Sequence, residues 1–186
     1  MSTSQKIAII VGSLRKGSFS RQLAKNLSGL APEGMTFHFV EIGDLPLYNQ
    51  DLEESVPAAW TRYRDEIAAS DAVLFVTAEY NRGVPGSVKN AIDVGSRPWG
   101  KAPLAGKPAA IISTSIGAIG GFGANHHLRQ SLAHLNMPTL GQPEAFIGNT
   151  GSLFDEDGTL NNAATKDFLS GFLKAFAAHV ALNKKG

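Results

Sequence analysis

Residues 6–12, Lys-Ile-Ala-Ile-Ile-Val-Gly, place five apolar side chains in an unbroken row. A strand with one wet face alternates polar and apolar residues, so an unbroken run marks a strand covered on both faces. Such a strand needs helices above and below it, and the rest of the chain supplies them in alternation. Ser20–Leu30 carries Leu23, Leu27 and Leu30 at helical spacing. Met35–Ile42 (MTFHFVEI) reads as a second strand, and Val56, Ala59, Trp60, Tyr63 and Ile67 mark a second helix. Ala72–Thr77 (AVLFVT) is a third strand. Pro85 suits the first position of a helix that runs to about Val94. Lys107–Ser115 gives a fourth strand, and a glycine-rich turn leads into a helix with Leu128, Leu132 and Leu135. Pro143–Gly148 is a fifth strand. Phe168, Leu169, Phe172, Leu173, Phe176 and Val180 form the stripe of a last helix.

Strands alternating with helices predict an α/β fold with a parallel sheet. The expected architecture is a flavodoxin-like three-layer sandwich, its five-stranded parallel sheet ordered 2-1-3-4-5 with helices on both faces. With 186 residues, no repeat and no long linker, a single domain over residues 1–186 is expected. The absence of cysteine excludes disulfides, thiolate metal sites, Fe–S clusters and Cys nucleophiles. A formal charge of +1 argues against nucleic acid or an anionic membrane as the main partner. No apolar run approaches the ~20 residues of a membrane span. The start, Met1 to Lys6, shows no apolar leader, so a cytoplasmic protein is expected.

In such sheets ligands bind beyond the carboxyl ends of the strands, here in the loops after strands one, three and four. The first, Gly12–Arg21, joins a buried strand to a helix start, where free N–H groups and the positive end of the helix dipole meet. Ser13, Ser18 and Ser20 add hydroxyls; Arg15, Lys16 and Arg21 add charge. Ser18 or Ser20 could simply cap the helix, but capping explains one serine and not Ser13 with Arg15. A Walker A loop would need Lys where Ser18 stands, and a dinucleotide fingerprint would need G-x-G-x-x-G. Glu41, near the end of strand two, means little without those glycines. A monophosphate fits better than a triphosphate or pyrophosphate.

The second loop, Thr77–Gly86, follows the central strand with polar groups and a Tyr, and suits the edge of a planar ring; a plain polar loop before a Pro-started helix is the alternative. In the third, Ser113–Gly123, four glycines (Gly117, Gly120, Gly121, Gly123) strip side chains from a stretch where backbone can approach a ligand. A flexible strand–helix connection is the alternative there.

The chain resembles the NAD(P)H-dependent FMN reductases, in particular the bacterial quinone and chromate reductase branch. The resemblance lies in GSLRKGSFS at 12–20, PLYNQD at 46–51, EYNRGVPGSVKNAID at 79–93, PLAGKP at 103–108, the STS-G-GG stretch at 113–121 and HLRQ at 127–130. It implies bound FMN as cofactor and NAD(P)H as co-substrate. Ser13, Arg15, Ser18 and Ser20, with Phe19 beside them, would hold the phosphate. Glu79, Tyr80, Asn81 and Arg82 would border the isoalloxazine ring, and Ser115 and Gly117 would close its other edge. Two departures stand out: Ser20, where Asn is common, and Arg82-Gly83, where small or aromatic residues are common. At Arg82 the backbone N–H is the implied contact.

The chemistry then belongs to the flavin, and no protein acid, base or nucleophile is expected. A ping-pong, two-electron cycle would deliver electrons to a small-molecule acceptor: a quinone, or more loosely chromate or an azo compound. Tyr48 and Trp99 are candidate walls of the acceptor pocket, with surface or subunit packing as the alternative. The resemblance also implies a homo-oligomer, a dimer or a tetramer of two dimers. Among the histidines, His126 and His127 point about 100° apart on a helix, and His127 and His134 lie two turns apart. No metal site is expected. Lys184, Lys185 and Gly186 read as a solvated tail. Three rival readings remain: a flavodoxin-type carrier, a flavin-regulated interaction protein, and a reductase that releases reduced FMN to a partner enzyme.

Overall fold

The computed structural model describes residues 4–184. Five strands, β1 (Gln5–Val11), β2 (Met35–Val40), β3 (Ala72–Thr77), β4 (Ala109–Thr114) and β5 (Ala145–Ile147), form one sheet. Their order is β2-β1-β3-β4-β5, and every pairing is parallel. This is the order read from the sequence. The five helices are α1 (Phe19–Asn26), α2 (Ala58–Ala68), α3 (Gly86–Gly95), α4 (Phe122–His134) and α5 (Ala163–Asn183).

The row of apolar residues in β1 divides between two cores, because successive side chains of a strand point to opposite faces. Ile7, Ile9 and Val11 meet Leu23 of α1, Leu27 just beyond its end, and Leu169, Phe172 and Phe176 of α5. Ala8 and Ile10 meet Trp60 and Tyr63 of α2, Val88 and Ala91 of α3, and Leu128 and Leu132 of α4. Strands β3 and β4 are buried along their whole length. A sheet sealed on both sides leaves its carboxyl-end loops as the place where polar groups can gather.

Several boundaries differ from the sequence reading. The first helix ends as α-helix at Asn26 and tightens into a 3₁₀ turn over Leu27–Leu30. Pro85 is the N-cap of α3 rather than its first residue: its ψ of 142° is extended, and its carbonyl accepts from the Val88 and Lys89 amides. Strand β5 shortens to three residues. Phe168 stays partly exposed beside the buried stripe of α5. Lys184 is not a free tail residue, because its Nζ pairs with Asp71 at 2.8 Å. Lys185, Gly186 and the first three residues lie outside the described residues. No helix among the described residues is long and apolar enough to cross a membrane.

Candidate functional site

The loops after β1, β3 and β4 project from the same end of the sheet, since all three strands are parallel and adjacent. The first is a cluster of donors. Ser18 caps α1, its Oγ accepting from the Arg21 amide at 3.1 Å. A capping hydroxyl keeps its own proton to donate. The amides of Phe19 and Ser20 begin the helix and, as at any helix start, have no carbonyl within it to bond. Arg15 folds back so that its guanidinium sits 5.4 Å from the centre of the Phe19 ring, and Phe19 in turn stacks on Phe154 at 6.2 Å. Among the described residues no carboxylate pairs with Arg15 or Lys16 and no side-chain partner meets the Ser13 hydroxyl. Arg21 is the cation already neutralised, by Glu41 at 2.9 Å.

Ser20 behaves differently from its neighbours. It is buried, and its hydroxyl is hydrogen-bonded to that of Thr114 at 2.8 Å, tying α1 to the end of β4. What Ser20 offers the loop is its backbone amide.

The loop after β3 is a tight hairpin. The Tyr80 amide donates to the Gly83 carbonyl at 3.0 Å and the Gly83 amide to the Tyr80 carbonyl at 2.9 Å. The two central residues, Asn81 and Arg82, have φ of 50° and 64°. Positive φ at both positions is the signature of a type I′ turn. Glu79 borders this hairpin, but its carboxylate faces α4: Oε2 accepts from the Ala124 amide at 3.0 Å. Tyr80 and the Arg82 side chain are exposed.

The loop after β4 is shaped by close approach. At Gly120 (φ 66°) a Cβ would lie 2.5 Å from the Phe146 backbone, so only glycine fits. Ser115 turns its Oγ to the Gly117 amide at 3.1 Å, while its carbonyl accepts from Thr150. The Gly117 amide is therefore engaged within the loop, and its carbonyl accepts from Gly120 and Asn149.

Two connections between the second and third loops escape a reading of the sequence. Helix α4 starts at a glycine without a side-chain cap, and Glu79 from another loop supplies the acceptor. His127, one turn further on, accepts the Val84 amide at its Nδ1 at 3.3 Å. The only signal in the sequence is indirect: a Gly-Gly-Phe-Gly helix start has no Ser, Thr, Asp or Asn to cap itself.

Tyr48 and Trp99 are brought together, though not to these loops. Arg97 lies between them, 5.9 Å from the Tyr48 ring and 5.6 Å from the Trp99 ring, and its Nε donates to the Tyr48 hydroxyl at 3.3 Å. Tyr48 also stacks on buried Trp60 at 5.4 Å. These residues line a cavity of about 510 Å³ with Glu53 and Glu54. A larger cavity of about 750 Å³ lies between the carboxyl ends of α3 and α4, bordered by Asp93, Arg97, Trp99 and His134. Neither includes a residue of the three loops. The charged pair Lys89–Asp93 beside the larger one is already closed at 2.7 Å. Among the described residues, the donors left without a polar partner gather on the first loop, which makes it the candidate ligand site.

Comparisons with known proteins bear on the family and the fold. Residues 5–151 match the model of the NADPH-dependent FMN reductase family. A quinone reductase from Pseudomonas putida is 57% identical over 185 residues, covering 99% of each chain. A 2-hydroxy-1,4-benzoquinone reductase from a Burkholderia species is 46% identical, covering 94% of this chain and 96% of that one. Among solved structures, the flavoenzyme NAD(P)H:(acceptor) oxidoreductase FerB from Paracoccus denitrificans superposes with a TM-score of 0.92 at 42% identity, covering 97% of this chain and 100% of that one. A flavodoxin from Pseudomonas aeruginosa, at 16% identity and a TM-score of 0.57 with 95% and 99% covered, shares the fold.

Proposed function

This chain belongs to the NADPH-dependent FMN reductase family, and from that premise we propose that it is an FMN-dependent oxidoreductase carrying electrons from NAD(P)H to quinones. Chromate and azo compounds are secondary acceptors. The working unit is one FMN-binding domain over residues 1–186, assembled as a homodimer or a tetramer of two dimers in the cytoplasm.

The observation that carries the reading is the first loop, which gathers hydrogen-bond donors and cations and holds no carboxylate. The unpaired Arg15, the hydroxyls of Ser13 and Ser18 and the amides of Phe19 and Ser20 suit a phosphate dianion at a helix start. No carboxylate lies in residues 12–20 to repel it. The loop therefore fits the monophosphate of FMN.

When bound, FMN supplies the two-electron relay between the two substrates. The chain supplies position. The rigid hairpin at Tyr80–Gly83 offers the ring edge the Asn81 and Arg82 amides, with Glu79 behind them holding α4. Ser115 and Gly117 would border the opposite edge of the ring, where the Ser115 hydroxyl holds the Gly117 amide and so fixes the backbone that would approach it. NAD(P)H and the acceptor take turns at one mouth, and in sum NAD(P)H, one proton and a quinone give NAD(P)⁺ and hydroquinone. Tyr48 and Trp99 serve the acceptor through assembly, since the cavity they line holds no residue of the three loops.

A second reading rests on Ser20. Its hydroxyl is held by Thr114, so one phosphate donor is missing, which favours an FMN that exchanges and leaves reduced for a partner enzyme. Purification decides between the two. Yellow protein that keeps its flavin through dialysis and reduces a quinone with NAD(P)H supports the resident cofactor. Colourless protein that oxidises NAD(P)H only with added FMN supports release, and no turnover in either form overturns both.

A further inference from the structure

We infer that the Arg82 side chain selects electron acceptors that carry a negative charge beside a planar ring. This rests on the reading of the three loops as an FMN reductase site. Arg82 occupies the second central position of the type I′ turn, at φ 64°, where glycine is the default and any other residue is strained. The side chain brings no packing in return, being 80% exposed. Its ionic neighbour, Glu79 Oε1, stands 3.9 Å away, at the limit of a pair, and the other oxygen of that carboxylate is held by Ala124. A strained, exposed position whose side chain makes only this marginal ion pair points to a ligand.

The surroundings define that ligand. The backbone beneath Arg82 is fixed, because its carbonyl lies against Gly123, where a Cβ would come within 2.7 Å of it. The guanidinium therefore starts from a firm base on the loop after β3. Arg15 and Lys16 stand on the first loop, and Glu79, the one acid in the three loops outside the Arg21–Glu41 pair, is turned inward at 16% exposure. The rim is positive. It is also apolar, with Leu14, Tyr80 and Ile116 all more than half exposed. A flat apolar body with an anionic substituent matches both properties. The phosphates of NAD(P)H share the anionic chemistry, so the two sources are separated by experiment.

The holoenzyme and its Arg82→Gln and Arg82→Lys variants are assayed with a neutral naphthoquinone and with its ring-sulfonated derivative. The ratio of kcat/KM for the sulfonate to that for the neutral quinone falls about three- to fivefold in Arg82→Gln, the worth of one exposed ion pair. It recovers in Arg82→Lys and the difference fades at high salt. Calorimetric binding of the sulfonate to the oxidised protein, without turnover, weakens by the same factor. An unchanged ratio and binding, or a change confined to the KM for NAD(P)H, overturns the inference. Failure of the unaltered holoenzyme to reduce even the neutral quinone would instead overturn the FMN reductase reading.

Discussion

Glu79 accepts the Ala124 amide at 3.0 Å, so the loop after β3 caps the helix after β4. The carboxylate is mostly buried and stands at the positive end of the α4 dipole. Glu79→Ala removes both the acceptor and the charge, and is expected to cost about 1–2 kcal/mol. Glu79→Gln keeps an acceptor oxygen and costs about half as much. Urea unfolding of the three proteins measures this, and equal stabilities would remove the capping role.

Arg15 has no acidic partner and rests on Phe19 at the surface. Arg15→Ala therefore leaves the unfolding midpoint of the apoprotein nearly unchanged. Loss of a charge-assisted bond to phosphate costs about 1.5–3 kcal/mol, or roughly ten- to a hundredfold in FMN affinity. Fluorescence titration of apoprotein with FMN reads the change, while riboflavin, which lacks the phosphate, binds both proteins alike. An equal loss for riboflavin would place Arg15 elsewhere.

What the sequence discloses and what it hides follow from the range of the interactions. The three inner strands are legible because burial on both faces writes itself as runs such as Ile7–Val11 and Ala72–Thr77, and the order follows from the alternation of strands and helices. The donor loop is legible because Ser13, Arg15 and Ser18 lie within one turn of chain. The partners of Ser20 and Glu79 are not, since they sit 94 and 45 residues away on other elements. Likewise the contact of Arg97 with Tyr48, 49 residues away, is hidden in the sequence. The inward turn of the Gly117 amide is decided by a single rotamer of Ser115, which no spacing encodes.

Arg82 at φ 64° carries a strain of about 1–2 kcal/mol that glycine does not. Glycine also adds about 0.5–1 kcal/mol of unfolded-state entropy, so Arg82→Gly is expected to gain about 0.5–1 kcal/mol net. For a chain of this size that is about 1–4 °C in Tm. Arg82→Ala keeps the strain and gains nothing. Calorimetric melting of the two variants separates strain from side-chain chemistry. A destabilised glycine variant would mean that the Arg82 side chain itself supports the hairpin.

His38 on β2 gives the fold a pH dependence. Partial burial, followed by the charge of Lys6, holds the ring below the usual histidine pKa, against the opposing pull of Glu66. Its Nε2 meets the Ser70 hydroxyl at 3.4 Å and its Nδ1 is buried without a partner, so the neutral ring is the one that fits. A base whose folded pKa lies below its unfolded value stabilises the fold in full above the unfolded value, about 6.5. That contribution is lost as the pH falls through the folded value, because the unfolded chain binds the proton first. Stability should therefore drop on acidification below about 6.5. In His38→Gln, which keeps a hydrogen-bonding side chain but cannot titrate, this part of the slope disappears. Urea midpoints measured across that pH window decide it: parallel curves for the two proteins would show that another group carries the dependence.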